Sequence, residues 1–242
     1  EGTTDNIVKG IDYAIDNGAD IINLSFVGGG YSHSLELAIR RAYDAGILTV
    51  AAAGNDQGNG SGNFLDTSPL YPVCFEKQNG SHLLIGVAAT DALDQKAQFS
   101  GYGFKCIDIT APGVSIFSTV NYAPNYYYQN VPFNKYYDGY WSGTSMAVPM
   151  VTGTIALMEA ANPRLNKEEI MKYLFDTTDN INRLNPNYLG QLGRGRVNTA
   201  NAVSAVLDLI PKKINLISAP LSGDNGLVKI TDSKDISNDK IM

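Results

Sequence analysis

Two helix-then-strand phrases follow one another near the start of the chain, and they restrict the fold more than any other feature. An amphipathic stretch from Ile7 to Asn17 is broken by Gly18, after which Ile21 to Phe26 reads as a short apolar strand. Ser34 to Ala45 repeats the amphipathic pattern, and Ile47 to Ala53 repeats the apolar run. Strands that are apolar on both faces, alternating with helices, belong to a parallel sheet covered on its two sides. Leu83 to Ala88 and Ile107 to Thr110 read as further strands. Ser145 to Ala161, Lys167 to Phe175 and Thr199 to Leu207 read as helices, the second opened by Asn166 with Glu169 three residues on, a capping arrangement. The expected fold is α/β in three layers, with a mostly parallel central sheet and helices on both faces.

The chain has 242 residues, of which 44% are hydrophobic, enough for one sizeable core. One globular domain over residues 1–210 and an extension or linker over 211–242 are expected, because the pattern weakens beyond Pro211. A formal charge of −6 offers no electrostatic footprint for nucleic acid. No apolar run approaches the roughly 20 residues of a membrane span, so no membrane-crossing helix is expected.

The candidate chemistry lies in Trp141-Ser142-Gly143-Thr144-Ser145-Met146-Ala147-Val148-Pro149. Here a lone serine stands between a flexible glycine and the start of a long apolar helix. The first N–H groups of a helix have no partner within it, so a negative oxygen forming beside Ser145 would meet ready-made donors. Read alone, Gly-Thr-Ser is equally a helix N-cap. Pro149 has no N–H, which leaves the Ser145 carbonyl without its usual helical donor. A second polar group, Asn55, closes the phrase Ala51-Ala52-Ala53-Gly54-Asn55 at a strand end, where sites form in open α/β sheets.

Five phrases in order carry a resemblance. They are the helix-strand phrase from Asp12 to Phe26, the Ala52-Ala53-Gly54-Asn55 strand end, Ala111-Pro112-Gly113-Val114, Gly143-Thr144-Ser145-Met146-Ala147 and Gly195-Arg196-Val197-Asn198. From Ile7 to about Leu207 the chain resembles the subtilisin-like serine proteases, the subtilases. The resemblance implies that Ser145 is the nucleophile, that the Asn55 side chain donates to the oxyanion of the tetrahedral intermediate, and that the substrate is a polypeptide. It further implies that Ser25, Phe26, Val27 and Gly28 form one edge of the substrate groove, with Gly28 leaving room for a side chain and Ala53 and Gly54 on the opposite wall. Val27 departs from the smaller residues frequent in the family and alters the expected groove shape.

A serine hydroxyl needs a base, normally an imidazole held by a carboxylate. The family's Asp-Ser/Thr-Gly and His-Gly-Thr-His phrases are absent, and His33 and His82 are the only histidines. The expectation is therefore a catalytic domain lacking its N-terminal part, with the triad aspartate and histidine on a preceding segment or separate chain. No histidine follows Ser145, which excludes an α/β-hydrolase, whose acid and histidine come after the serine. The alternative function is a pseudoprotease that binds peptides in the same groove without cleaving them. A propeptide or an inhibitor is a further partner that the resemblance allows.

The resemblance also sets Cys74 beside Cys106, so that a disulfide closing about 32 residues is one reading and two buried thiols the other. A disulfide would indicate an oxidising, extracytoplasmic or secreted setting. A structural calcium near Asp108 is a family feature, although one carboxylate is too few to define a site. The resemblance implies that the bond Tyr71-Pro72 is cis. Residues 56–68 read as a surface loop. Residues 121–140 read as an insertion whose tyrosines either pack on themselves or line the leaving-group side of the site.

Overall fold

The computed structural model describes residues 2–56, 60–75, 83–128 and 131–209. Four parallel strands form the central sheet in sequence order: β1 (Ile21–Leu24), β2 (Leu48–Ala52), β3 (Ile85–Thr90) and β4 (Ile109–Pro112). Successive side chains of a strand point to opposite faces, and β2 divides accordingly. Val50 and Ala52 enter a core with α3 (Thr144–Ala161), α4 (Lys167–Asp176) and α5 (Thr199–Leu207). Ala51 and Ala53 enter the other core, with residues of α1 (Thr4–Asp16) and α2 (His33–Asp44). The expected three-layer α/β architecture is the one found.

Along α3 the side chains of Val148, Val151, Ile155 and Met158 are fully buried, each contributing about 1.5–3 kcal/mol of transfer free energy. This helix packs across all four strands of the sheet, which is why its first turn is fixed relative to every strand end. Local chemistry starts the helices where the sequence indicates. Ser32 accepts from the Leu35 N–H, and Asn198 from the Asn201 N–H. Asn166 and Glu169 form the reciprocal capping box.

Several outcomes depart from expectation: α1 starts at Thr4 rather than Ile7, and β4 runs over Ile109–Pro112, two residues later than its apolar run. The first strand ends at Leu24 rather than Phe26, because the next residue, Ser25, turns its polar groups toward α3. The third strand runs over Ile85–Thr90, two residues later than its apolar run. The described residues of the insertion at 121–140 take part in two antiparallel ladders, β5 (Ile116–Thr119), which precedes it, with β8 (Tyr137–Trp141), and β6 (Ala123–Tyr128) with β7 (Val131–Phe133). Aromatic residues favour the pleated backbone when they can pair across it. Here Tyr122 stacks on Tyr136 at 4.9 Å between ring centroids, and Phe133 meets Tyr126 and Trp141.

Cys74 and Cys106 are joined in a disulfide, and Tyr71-Pro72 is cis. The extension expected beyond residue 210 and the second histidine, His82, lie outside the described residues. Among those described, no helix is long and apolar enough to cross a membrane.

One buried carboxylate carries a pH signature. On α2, Glu36 accepts from the Tyr31 hydroxyl and pairs with Arg40. The Tyr31 hydrogen bond, with Arg40 behind it, holds Glu36 below the usual carboxylate range. A depressed folded-state value means stability that is present above the unfolded value and is lost as pH falls through the folded one. The stability difference between the parent and Glu36→Gln, measured by chemical denaturation, is therefore expected to be level near neutrality and to shrink below pH 4.5.

Candidate active site

The site is built where the first turn of α3 meets the C-terminal ends of β1 and β2. Ser145 and Ser25 face each other through two reciprocal hydrogen bonds. The Ser25 hydroxyl donates to the Ser145 carbonyl at 3.0 Å, and the Ser145 hydroxyl donates to the Ser25 carbonyl at 2.8 Å. The first bond answers the vacancy made by Pro149: the carbonyl that lacks a helical donor receives one from a residue 120 positions away.

The Asn55 carboxamide is oriented by Thr144. Its Oδ1 accepts from the Thr144 backbone N–H at 2.9 Å and from the Thr144 hydroxyl at 3.0 Å. That hydroxyl accepts in turn from the Gly54 N–H. Two donors on one end of the carboxamide require that end to be oxygen, so the NH₂ group faces the other way, toward Gly143. A Cβ placed on Gly143 would lie 3.2 Å from Asn55 Nδ2 and 3.7 Å from the Ser145 backbone nitrogen. Of the first-turn amides, the Thr144 N–H is taken by Asn55 and the Met146 N–H by the Gly143 carbonyl. The Ser145 N–H has no acceptor among the described residues. Two N–H donors thus border one small space that glycine keeps open, beside a serine hydroxyl.

Gly113 supports the same turn. Its carbonyl accepts from the Gly143 N–H at 2.8 Å, and a Cβ on it would fall 2.8 Å from the Gly143 carbonyl oxygen and 2.7 Å from the Ala89 Cβ. The close approach of β4 to the serine turn therefore requires glycine here.

The other expected site residues are placed unevenly. Gly28 exchanges both backbone hydrogen bonds with Tyr71, at 2.7 and 2.8 Å, so its backbone is not free to pair with a peptide as expected. Phe26 and Val27 make no backbone hydrogen bond among the described residues. Ala53 is fully buried, with its methyl in the core and its N–H donated to Val87, so it contributes no side-chain wall. Val27 and Leu70 lie over Gly54: a Cβ there would be 3.0 Å from Val27 Cγ2 and 2.6 Å from Leu70 Cδ1. The slot between the two strand ends is accordingly narrow.

Among the described side chains of this region, the aromatic ones that reach the serine turn are Phe133 and Trp141. They join Ile116, Met146 and Met150 around an apolar cavity of about 510 Å³ with Ser145 on its wall. Tyr122, Tyr126, Tyr136, Tyr137 and Tyr140 are exposed. A wider cleft of about 910 Å³ lies at the start of β1 against the second half of α3, and neither Ser145 nor Asn55 lines it.

A family model described as the subtilase family matches residues 1–203. The chain belongs to the subtilase family. Subtilisin DY of Bacillus licheniformis is 36% identical over 180 residues, covering 74% of this chain and 57% of that protein. A thermophilic serine proteinase of Bacillus sp. (strain AK1) is 36% identical over 203 residues, covering 84% of this chain and 42% of that one. Among solved structures, a protease of Pseudoalteromonas arctica PAMC 21717 matches with a TM-score of 0.66 at 30% identity, over 85% of this chain and 59% of the other. The chain thus spans about half the length of these curated relatives.

Within this subtilase chain the closing phrase is structural. Arg196 pairs with Asp94 at 2.7 Å and Asp179 at 2.6 Å, while the Val197 N–H donates to Thr110 in β4. Asp108, the residue considered for calcium, is buried and accepts from the Gly86 N–H at 2.8 Å. Among the described residues no three His, Cys, Asp or Glu side chains gather to hold a metal ion. Through the Gly86 bond the Asp108 carboxylate braces the backbone of β3. His33, on the first turn of α2, contacts Tyr31 and Glu36, and no contact joins it to Ser145. Thr144 is the site residue that sequence reasoning missed, although it stands inside the Gly-Thr-Ser phrase.

Removing the Ser25 hydroxyl leaves the Ser145 carbonyl without its donor. Ser25→Ala is expected to lower unfolding free energy by about 1 kcal/mol in urea titration, the net worth of one hydrogen bond.

Proposed function

We propose that this chain is the serine- and oxyanion-bearing part of an endopeptidase that hydrolyses peptide bonds through an acyl-enzyme on Ser145. The observation that carries the reading is the pair of donors, the Ser145 N–H and Asn55 Nδ2, bordering the space beside the Ser145 hydroxyl. Fixed donors aimed at a developing negative oxygen need no reorganisation during reaction. Names of relatives such as subtilisin and serine proteinase support the same chemistry.

In this mechanism the Ser145 hydroxyl leaves the Ser25 carbonyl and gives its proton to an imidazole, while Oγ bonds to the scissile carbonyl carbon. The oxyanion is held by Asn55 and the Ser145 N–H. Collapse breaks the C–N bond, and the imidazolium returns the proton to the departing amine; water then repeats the sequence in reverse order on the ester. The imidazole and its orienting aspartate come, as the family resemblance implies, from a segment or chain preceding this one, and His33 is engaged by Tyr31 and Glu36. The substrate is a polypeptide that pairs with the backbone of Phe26 and Val27 and with the Ser25 carbonyl once Ser145 has left it, and a propeptide or inhibitor would occupy the same edge. The disulfide fits an oxidising setting, so we place the enzyme outside the cytoplasm.

The test is labelling of the intact protein by a fluorophosphonate probe. Labelling at Ser145 that disappears in Ser145→Ala is expected, whereas an intact protein never labelled there is a peptide-binding pseudoprotease. Asn55→Ala is expected to lower kcat roughly 10²–10³-fold, a magnitude taken over from a subtilisin.

The narrow slot has its own consequence. With Val27 and Leu70 over Gly54, the residue whose carbonyl is attacked is expected to carry a small side chain. Val27→Gly should raise kcat/KM for phenylalanine at that position, relative to alanine, by about tenfold or more, the worth of a few methylenes in a pocket. Profiling a peptide library with both forms reads this out.

A further inference from the structure

Lys96 is a buried cation that the chemistry above does not use. It follows the turn after β3, and the residue is only 8% exposed. Its Nζ donates to the carbonyls of Ala97 (2.9 Å), Ser100 (3.0 Å), Gln98 (3.2 Å) and Ser61 (3.3 Å). The rings of Tyr188 and Tyr102 cover it at 4.9 and 5.2 Å. Its backbone N–H is held by the Asn185 side chain at 2.7 Å. Burial pushes the ammonium down to about 8, with the Asp56 charge opposing, so it keeps its charge at neutral pH. A charged amine inside a protein is tolerated only when its protons and field are answered, and four carbonyls with two ring faces answer them.

Three of those carbonyls belong to one short bend, residues 97–101, which is folded round the ammonium. The outer side of the same bend holds the strand end that carries Asn55. Asn55 and Ser100 pair across an antiparallel bridge, the Asp56 N–H donates to Phe99 at 2.8 Å, and the Gly101 N–H donates to Gly54 at 2.9 Å. The last ladder bond of this strand is from the Ala53 N–H to Val87, and from the Gly54 carbonyl through Asp56 the backbone around Asn55 is held by this bend. Thr144 fixes the carboxamide oxygen and, through its hydroxyl, the Gly54 N–H, and it does not hold the Asn55 or Asp56 backbone.

We propose that Lys96 is a positioning residue for Asn55: its side chain is a tethered internal cation around which the 97–101 bend folds, and the bend aims the Asn55 carboxamide at the oxyanion. Lys96 touches no substrate and acts only through the backbone. The inference rests on the acyl-transfer reading of Ser145 and Asn55.

In the intact protease, Lys96→Met is expected to lower kcat about tenfold with KM changed less than about twofold, because a displaced donor raises the barrier without touching the groove. On an Asn55→Ala background the same substitution is expected to cost less than about twofold, since the group it aims is already absent. Equal losses on both backgrounds overturn the proposal, for Lys96 would then support the fold alone. Should Lys96→Met fail to fold, Tyr188→Leu takes its place. It removes one ring face and spares every carbonyl contact, and a smaller loss with the same dependence on Asn55 is expected. An intact protein without peptidase activity overturns the proteolytic reading and leaves the cage to be judged by hydrogen exchange. The Asp56 and Gly101 amides then exchange faster in Lys96→Met, whereas exchange at the parent rate ends the proposal.

Discussion

The reciprocal hydrogen bonds between Ser25 and Ser145 join the end of β1 to the start of α3, and the geometry of the site depends on them. The junction exists because Pro149 removes the N–H that would otherwise satisfy the Ser145 carbonyl within the helix. A partly buried carbonyl without a donor is costly, so the sheet supplies one. The requirement couples two segments 120 residues apart and fixes the axial position of α3 relative to β1. Since α3 also packs its apolar face across the four strands, the same constraint transmits the position of the serine turn to the whole central layer.

Around that junction the backbone comes unusually close to itself, and glycine occurs at the points of contact. Gly113 lies against the serine turn, Gly143 keeps open the space between two N–H donors, and Gly101 lies against the Ala53 carbonyl. Each position would place a Cβ within about 3.2 Å of its nearest neighbour, tighter than ordinary van der Waals contact. The phrases that carry the family resemblance are thus close-packing motifs as much as chemical ones. Ala-Pro-Gly-Val braces the serine turn, and Gly-Arg-Val-Asn ties β4 to Asp94 and Asp179 through Arg196.

The groove departs from what the family phrases imply, and packing supplies the reason. Gly28 gives its backbone to Tyr71, and Ala53 gives its methyl to the core, so neither is available in the expected way. Val27 and Leu70 close over Gly54. On the other side of Ser145, the aromatic ladders from Ile116 to Trp141 place Phe133 and Trp141 on an apolar cavity. The walls around Ser145 and Gly54 are therefore formed largely by side chains outside the five shared phrases.

By itself the sequence determined what depends on local order. Helix–strand alternation with both-face apolar runs gave the parallel sheet and its layers, Asn166 and Glu169 gave the start of α4, and the Gly-Thr-Ser and Ala-Gly-Asn phrases marked the two polar groups of the site. These signals act within a few residues or within one period, so a linear reading detects them. Only the tertiary structure decided which distant groups answer one another. The Ser25 hydroxyl on the Ser145 carbonyl, the Thr144 hydroxyl turning the Asn55 carboxamide, and the Lys96 ammonium inside a ring of carbonyls all join segments far apart in sequence or depend on a bend's three-dimensional path. The ladders within 116–141 were missed for a related reason. Aromatic residues there gain their preference for strand from partners across the sheet, and those partners exist only once the chain has folded.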